Sequence, residues 1–322
     1  MLRTIGCEVT EHPFEYSTFP GKWGTPIAGV LTAILFLAAG HFGARGDARA
    51  ALEILAAGAA LLGSFAWWLG RWGVMELPIA RATGINLVAT RGVPDMWLVA
   101  HLDSKSQPIP IGVRAAAIIA CIVLWIAATT LATLQLGGLT LAWLWVPVTT
   151  LGVLAALPVG GSMVGEQSPG ALDNASGVAT VLRAAELIPH RQAIGVLLTS
   201  AEELGLAGAR AWAREAGRAS AINVDGIDDA GSLRLVYSGR KPRALLGRLG
   251  EGWPAASRLP PGLLMDGVAL ADANWEVVNV SKGSWRTVSR IHTSRDVPTH
   301  LHDSGIEAVA ALLAASILAR NC

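Results

Sequence analysis

Apolar positions are concentrated along this chain, and from residue 115 to 165 there is no Asp, Glu, Lys or Arg. Within that stretch, runs 115–136 and 139–159 each supply the roughly 20 apolar residues a helix needs to cross a ~30 Å hydrocarbon layer. Gln135, Gly137 and Gly138 mark the turn between them, and Pro147 is expected as a tolerated kink inside a membrane bundle. Runs 26–43 and 50–70 read the same way, with His41 and Glu53 near their ends and a polar turn, Ala-Arg-Gly-Asp-Ala-Arg, at 44–49. Trp23, Trp67, Trp68, Trp72, Trp143 and Trp145 fall at or near helix ends, as an aromatic belt would. The pattern predicts four transmembrane helices in two hairpins. Residues 1–21 are polar, with Glu8, Glu11 and Glu15, and do not fit a cleaved signal peptide.

Elsewhere short β-rich runs alternate with helical spacing. Strands are predicted at 85–90, 96–102, 193–199, 219–224 and 233–237, the second and third apolar enough to be buried on both faces. Helices are predicted at 174–188, 204–217 and 304–319, the last with Ile306, Val309, Leu312, Leu313 and Ile317 on one side. That rhythm implies an α/β domain, a mostly parallel mixed sheet flanked by helices. One hairpin is inserted within it. The organisation is then a polar N-terminal segment (1–25), hairpin one (26–70), the first part of the α/β domain (71–113), hairpin two (114–160) and its main part (161–322).

Composition sharpens this picture. Hydrophobic residues make up 52% and charged ones 15%, against about 45–50% and about 25% in ordinary soluble domains. Lys and Arg number 25 and Asp and Glu 24, which excludes a nucleic-acid binder working by massed positive charge and an intrinsically disordered chain. Cys7, Cys121 and Cys322 lack the spacing of a disulfide framework or a CxxC site. An even number of crossings puts Arg3, Lys22, Arg71, Arg81 and Arg114 on one side and only Arg45 and Arg49 on the other. The positive-inside bias, with the unpaired cysteines, favours the cytoplasmic side for the polar regions of an integral protein of a bacterial-type cell membrane.

Acidic residues and histidines follow the predicted strands. His101-Leu-Asp103 ends the second, Glu202-Glu203 follow the third, Asp225 follows the fourth, Asp173-Asn174 open a helix, and His292 comes after residues 289–291. Sites in such sheets form at the carboxyl ends of strands. Two imidazoles with three or four carboxylates make a mixed N/O donor set suited to zinc or a similar divalent ion. Without a cation such carboxylates repel one another.

These residues, as His101-Leu-Asp-Ser104, Gly170-Ala-Leu-Asp-Asn-Ala-Ser-Gly177, Ser200-Ala-Glu-Glu-Leu-Gly205, Asn223-Val-Asp225 and His292-Thr-Ser-Arg-Asp296, resemble the ordered motifs of the M28 family of zinc peptidases, across roughly residues 80–112 and 166–320. The resemblance implies a zinc-peptidase/phosphorylase-like fold and a two-zinc centre acting on peptides, the aminopeptidase type being favoured. Asp173 would bridge two Zn2+ ions, His101 and Asp225 would complete one, and Glu203 and His292 the other. Glu202 would be the general base, Asp103 would orient His101, and Asp296 would do the same for His292. Asp272 falls where the family often has an acidic residue. His300 and His302 are rival ligands, which the His292-Thr-x-x-Asp296 match disfavours.

The chain departs from soluble relatives in two ways. A membrane hairpin separates His101 from Asp173, and neither Tyr16 nor Tyr237 sits in a matched motif to supply an oxyanion donor. Arg286, Arg290 and Arg295 read either as a site for a substrate carboxylate or as solvated charge. Two alternatives accompany the peptidase. Glutaminyl cyclases share the architecture and a His-x-Asp-Ser-Lys run like 101–105, but use one zinc. A non-catalytic membrane scaffold is disfavoured by the complete donor set, and a transporter by the lack of charge deep in the helices.

Overall fold

The structure, a computed structural model, describes residues 1–260 and 262–318, which form two compact units. Ala319, the end of the predicted closing helix, and Cys322 lie outside the described residues.

One unit, residues 18–74 and 107–165, is helical. α1 (Phe19–Ala44) and α2 (Ala48–Trp68) form the first pair, and Asp47 caps α2 by accepting from the Ala50 amide at 3.0 Å. The chain leaves through an irregular turn and the short α3 (Val74–Glu76). α4 (Ile111–Leu136) and α5 (Trp145–Gly160) form the second pair. Four helical stretches, Phe19–Ala44, Ala48–Glu76, Ile111–Leu136 and Ala142–Gly160, are long and apolar enough to cross a membrane.

Two details differ from the sequence expectation. Pro147 is the third residue of α5, inside the first turn, where its missing N–H leaves no hydrogen bond unmade and no kink is required. Trp145 does not belong to an aromatic belt: it is 1% exposed, and its indole donates to Gln135 Oε1 within the packed interior of Phe36, Leu55, Ala128 and Leu131.

The second unit, residues 1–17, 75–106 and 166 onward, is built on one eight-stranded sheet. Its strands are β1 (Glu8–Ser17), β2 (Arg81–Arg91), β3 (Met96–His101), β4 (Ile194–Thr199), β5 (Ser220–Ile227), β6 (Ser232–Tyr237), β7 (Ser257–Arg258) and β8 (Glu276–Gly283), in spatial order β1-β2-β4-β3-β5-β8-β6-β7. The central strands β4, β3, β5 and β8 run parallel, while β1 and β2 on one side and β6 on the other pair antiparallel. β1, β7 and β8 have no counterpart in the sequence reading, which took residues 1–25 as a polar segment. β1 is an edge strand on which Glu8, Glu11 and Glu15 are all exposed, so its charge conceals a strand.

β3 shows why the apolar runs are continuous. Met96, Leu98 and Ala100 join the core on one face, and Trp97 and Val99 join the core on the other. The first face is covered by α6 (Ser176–Leu187) and α11 (Asp303–Leu318), through Val181, Ala184, Val309 and Leu313. The second is covered by α7 (Ala207–Glu215) and α9 (Asp266–Asp272), through Ala209, Ala269 and Leu270. Two short helices, α8 (Arg243–Arg248) and α10 (Trp285–Val288), complete the unit.

Within the helical unit, α1 and α5 meet backbone to backbone: a Cβ on Gly29 would stand 2.2 Å from the Gly160 nitrogen, whereas one on Gly63 of α2 would meet nothing within 4 Å. Gly29→Val is therefore expected to lower the melting temperature of the purified full-length chain by several degrees, an overpacking cost of about 1–3 kcal/mol. Gly63→Val is expected to melt near the wild type, and equal melting of the two variants would contradict this packing.

Candidate metal centre

The parallel strands deliver their carboxyl ends to one edge. His101 is the last residue of β3 and pairs in register with Thr199 of β4, after which the chain turns through Glu202 and Glu203. Asp225 lies on β5 beyond the residues paired with β3. Asp173 occupies an irregular turn, Ala171–Ala175, ahead of α6, and the Asp173–Asn174 peptide is cis. His292 follows the short helix α10, not a strand, and has a left-handed φ of 60°.

Two groups of donor atoms result: His101, Glu202 and Asp225, and Asp173, Glu203 and His292. Asp173 stands between them. Its Oδ1 is 3.2 Å from His101 Nε2, and its Oδ2 is 3.0 Å from His292 Nε2. Asp225 Oδ1 lies 3.6 Å from His101 Nε2, and Glu203 Oε1 lies 3.0 Å from His292 Nε2. Adjacent Glu202 and Glu203 fall in different groups.

The geometry fits divalent metal. Atoms bound at ~2.0–2.2 Å to one tetrahedral zinc ion stand roughly 3.3–3.6 Å apart, close to these separations. Glu203 Oε1 is buried beside His292 Nε2 yet makes no hydrogen bond among the described residues; these two atoms and an oxygen of Asp173 all lie within 4.8 Å of one another. Charge supports the same reading. Burial disfavours the His101 cation, but Glu202, Asp173 and Asp225 outweigh it and hold the imidazole pKa well above its usual value. Burial would raise Asp173 too, yet its contacts with the two imidazoles pull it far below the carboxylate range. Glu202 goes the other way, pushed well up by burial, with His101 only partly offsetting this and neighbouring carboxylates adding to it.

The carboxylates of Asp103 and Asp296 act differently from the sequence expectation. Asp103 does not orient His101 through its side chain: the His101 Nδ1–H faces the Asp103 main-chain carbonyl at 3.0 Å, with the carboxylate at 3.8 Å. That carboxylate accepts from the amides of Glu202 (3.0 Å) and Glu203 (3.1 Å). Asp296 does not hold the His292 ring either. It accepts from the amides of Leu172 (2.7 Å) and Asp173 (3.1 Å). Each histidine-bearing loop thus clamps a carboxylate-bearing loop by two consecutive N–H groups, satisfying amides that a turn leaves unpaired. Asn174 adds a third tie, donating to Val224 O at 2.9 Å and accepting from Gly177 and Gly226, both at 3.1 Å.

The other sequence candidates fall outside these groups. Asp272 is exposed on the last residue of α9, and His300 and His302 are exposed. Arg290 is engaged with Asp228, a buried carboxylate that also accepts from Thr287. Arg286 and Arg295 are exposed. Tyr16 is buried on β1, its phenol raised by burial and by the charge of Asp103. Two residues were missed. Lys105, quoted only as part of a motif, places Nζ 2.7 Å from Glu203 Oε2. Asp266, fully buried at the start of α9, accepts from Thr199 Oγ1 while its Oδ1 has no hydrogen bond among the described residues. Its only sequence signal is an acidic residue opening a helix, which ordinarily reads as a cap.

Burial pushes Asp266 up to about 7 from the 3.8 of a free aspartate, with His101 and Thr199 opposing. The folded state then keeps this proton while the unfolded chain releases it near pH 4, so stability is full at lower pH and is lost as pH rises toward about 7. Asp266→Asn carries no such titration. In metal-stripped protein, the melting temperature of the variant relative to wild type is expected to rise between pH 5 and pH 7.5; a constant difference would show that Asp266 does not titrate there.

Residues 158–317 match the family model of Peptidase family M28. The match begins in the last turn of α5 and does not reach the His101 motif, which the fold brings back beside it. No curated protein sequence matches the chain. Among solved structures, the chain is similar to a glutaminyl cyclase from Porphyromonas gingivalis, with TM-score 0.52, 14% identity, and 100% of this chain covering 86% of that one. It is also similar to an aminopeptidase from Aneurinibacillus sp. strain AM-1 (TM-score 0.46, 16% identity, 74% and 48% covered) and to a zinc aminopeptidase from Bacillus subtilis (TM-score 0.44, 18% identity, 73% and 49% covered). The chain spans about half the length of these aminopeptidases. The sheet flanked by helices, the ordered motifs and the family match agree, and the chain carries a domain of peptidase family M28, which implies zinc.

Proposed function

We propose that the chain is a membrane-anchored zinc peptidase that removes residues from the amino ends of peptides. The observation that carries this reading is Asp173, whose two oxygens face two different imidazoles, each with its own further carboxylates. His101, Asp225 and Asp173 would hold one zinc ion, and Glu203, His292 and Asp173 a second. Zinc held there lowers the pKa of water and polarises a carbonyl.

Glu202 is the proposed general base. Its pKa, raised by burial, suits a group that accepts a proton from water and delivers it to the leaving amine. Asp103 aims Glu202 and Glu203 to opposite sides by fixing the amides of both. Of the three arginines considered for a substrate carboxylate, Arg290 is committed to Asp228, and Arg286 and Arg295 are exposed.

Membrane anchoring is supported by the four apolar helices, whose side chains such as Ile119, Val123, Ile126 and Leu157 are more than half exposed within this chain. Lipid covers such surface without cost, whereas water does not. The arginine distribution supports the cytoplasmic side for the sheet unit.

A second reading, glutaminyl-cyclase-like acyl transfer with one zinc, is favoured by one observation, the ammonium of Lys105 on Glu203. Zinc per chain, measured alongside hydrolysis of aminoacyl and peptide substrates with and without chelator, separates the two. Glu202→Gln is expected to retain zinc and to lose turnover by about 10²–10⁴-fold, and Glu203→Ala to lose zinc. Full activity in Glu202→Gln would remove this residue as the base. Absence of zinc from the purified chain would remove both readings.

A further inference from the structure

Lys105 lies on the loop that follows β3, between two anchored serines. Ser104 Oγ donates to Ser168 O at 3.1 Å, and Ser106 Oγ accepts from the Gln167 amide at 2.8 Å. The lysine backbone is therefore held from both sides, unlike that of a solvated surface lysine. Its side chain is 19% exposed and its partner Glu203 5%. Nζ sits 2.7 Å from Glu203 Oε2 and 3.3 Å from the Glu203 carbonyl oxygen. The ammonium thus occupies one oxygen of Glu203 and leaves Oε1 for the point where His292 Nε2 and Asp173 Oδ2 converge.

We propose that Lys105 is a resident cation of this centre that stands in for part of the charge of a second zinc ion, so that the second ion binds more weakly than the first. This rests on the zinc-peptidase reading and specifies how its two positions differ. Asp173, Glu202, Glu203 and Asp225 supply four negative charges, which two divalent ions alone would cancel. With the fixed ammonium present, the first ion still enters a net negative cluster. The second enters beside the ammonium, where the charge of Glu203 is already offset, and in a buried setting that repulsion is poorly screened. Lys105 also confines Glu203 to one-oxygen contact, which removes a donor that the second ion would otherwise use.

The test is a zinc titration of the metal-free, full-length chain against a chromophoric chelator, comparing wild type, Lys105→Met and Lys105→Arg. Wild type is expected to bind two equivalents with separated dissociation constants. In Lys105→Met the second equivalent is expected to tighten by on the order of tenfold or more, with a smaller change in the first. Lys105→Arg, which keeps the charge, is expected to follow wild type. An unchanged second equivalent in Lys105→Met overturns the proposal, as does an arginine variant that behaves like methionine. Weakening of both equivalents in Lys105→Met also overturns it, by making Lys105 a prop for Glu203. Failure of wild type to bind any zinc would instead remove the peptidase reading itself, so the two failures are distinguishable.

Discussion

Carboxylates gathered in a buried edge of a sheet repel one another unless positive charge stands among them, and this constraint organises the whole of the sheet unit. Asp173, Glu202, Glu203 and Asp225 converge with two imidazoles. Their protonation tendencies diverge accordingly: Asp173 and Glu203 are held down by the cations beside them, and Glu202 and Asp225 are driven up by burial. A group of this kind is costly to assemble for stability alone. The cost is consistent with the zinc that the family implies and with a chemistry that needs one carboxyl kept basic near neutrality.

Holding such a cluster together requires backbone as much as side chains. Asp103 and Asp296 each place one carboxylate across two consecutive amides of the opposite loop. Asn174 ties the Asp173 turn to the end of β5. These contacts fix donor atoms through the main chain, so a mutation of either aspartate is expected to displace donor side chains whose amides it holds. The buried Asp228 does similar work on the far side, joining the end of β5 to Thr287 and Arg290 ahead of His292.

The helical insertion between β3 and the Asp173 turn leaves this scaffold intact because its points of departure and return are bonded together. Ser104 and Ser106 meet Ser168 and Gln167 within the sheet unit itself. The residues between them fold as part of a separate unit, with its own core around Phe36, Leu55 and Trp145 and its own backbone contact at Gly29 and Gly160. An inserted pair of helices costs the sheet little when both ends start from neighbouring positions.

The amino-acid sequence by itself determined the elements whose signal is local. Charge-free runs of spanning length, continuous apolar strands such as Met96–His101, and short acidic and histidine motifs are all read from neighbours in the chain, because burial on both faces or in lipid selects residue types position by position. What the chain alone left open was decided by contacts between distant segments. β1 hides behind glutamates because what makes it a strand is its residue-by-residue pairing with β2, a segment far along the chain. Asp266, and not Asp272, lies buried beside the donor groups because α9 begins against Thr199 and ends in solvent. The partners of Asp103, Asp296 and Lys105 lie about 100 to 120 positions away. A carboxylate has the same chemistry whether it binds a ring, two amides or an ammonium, so its role follows from what the fold brings within hydrogen-bonding distance.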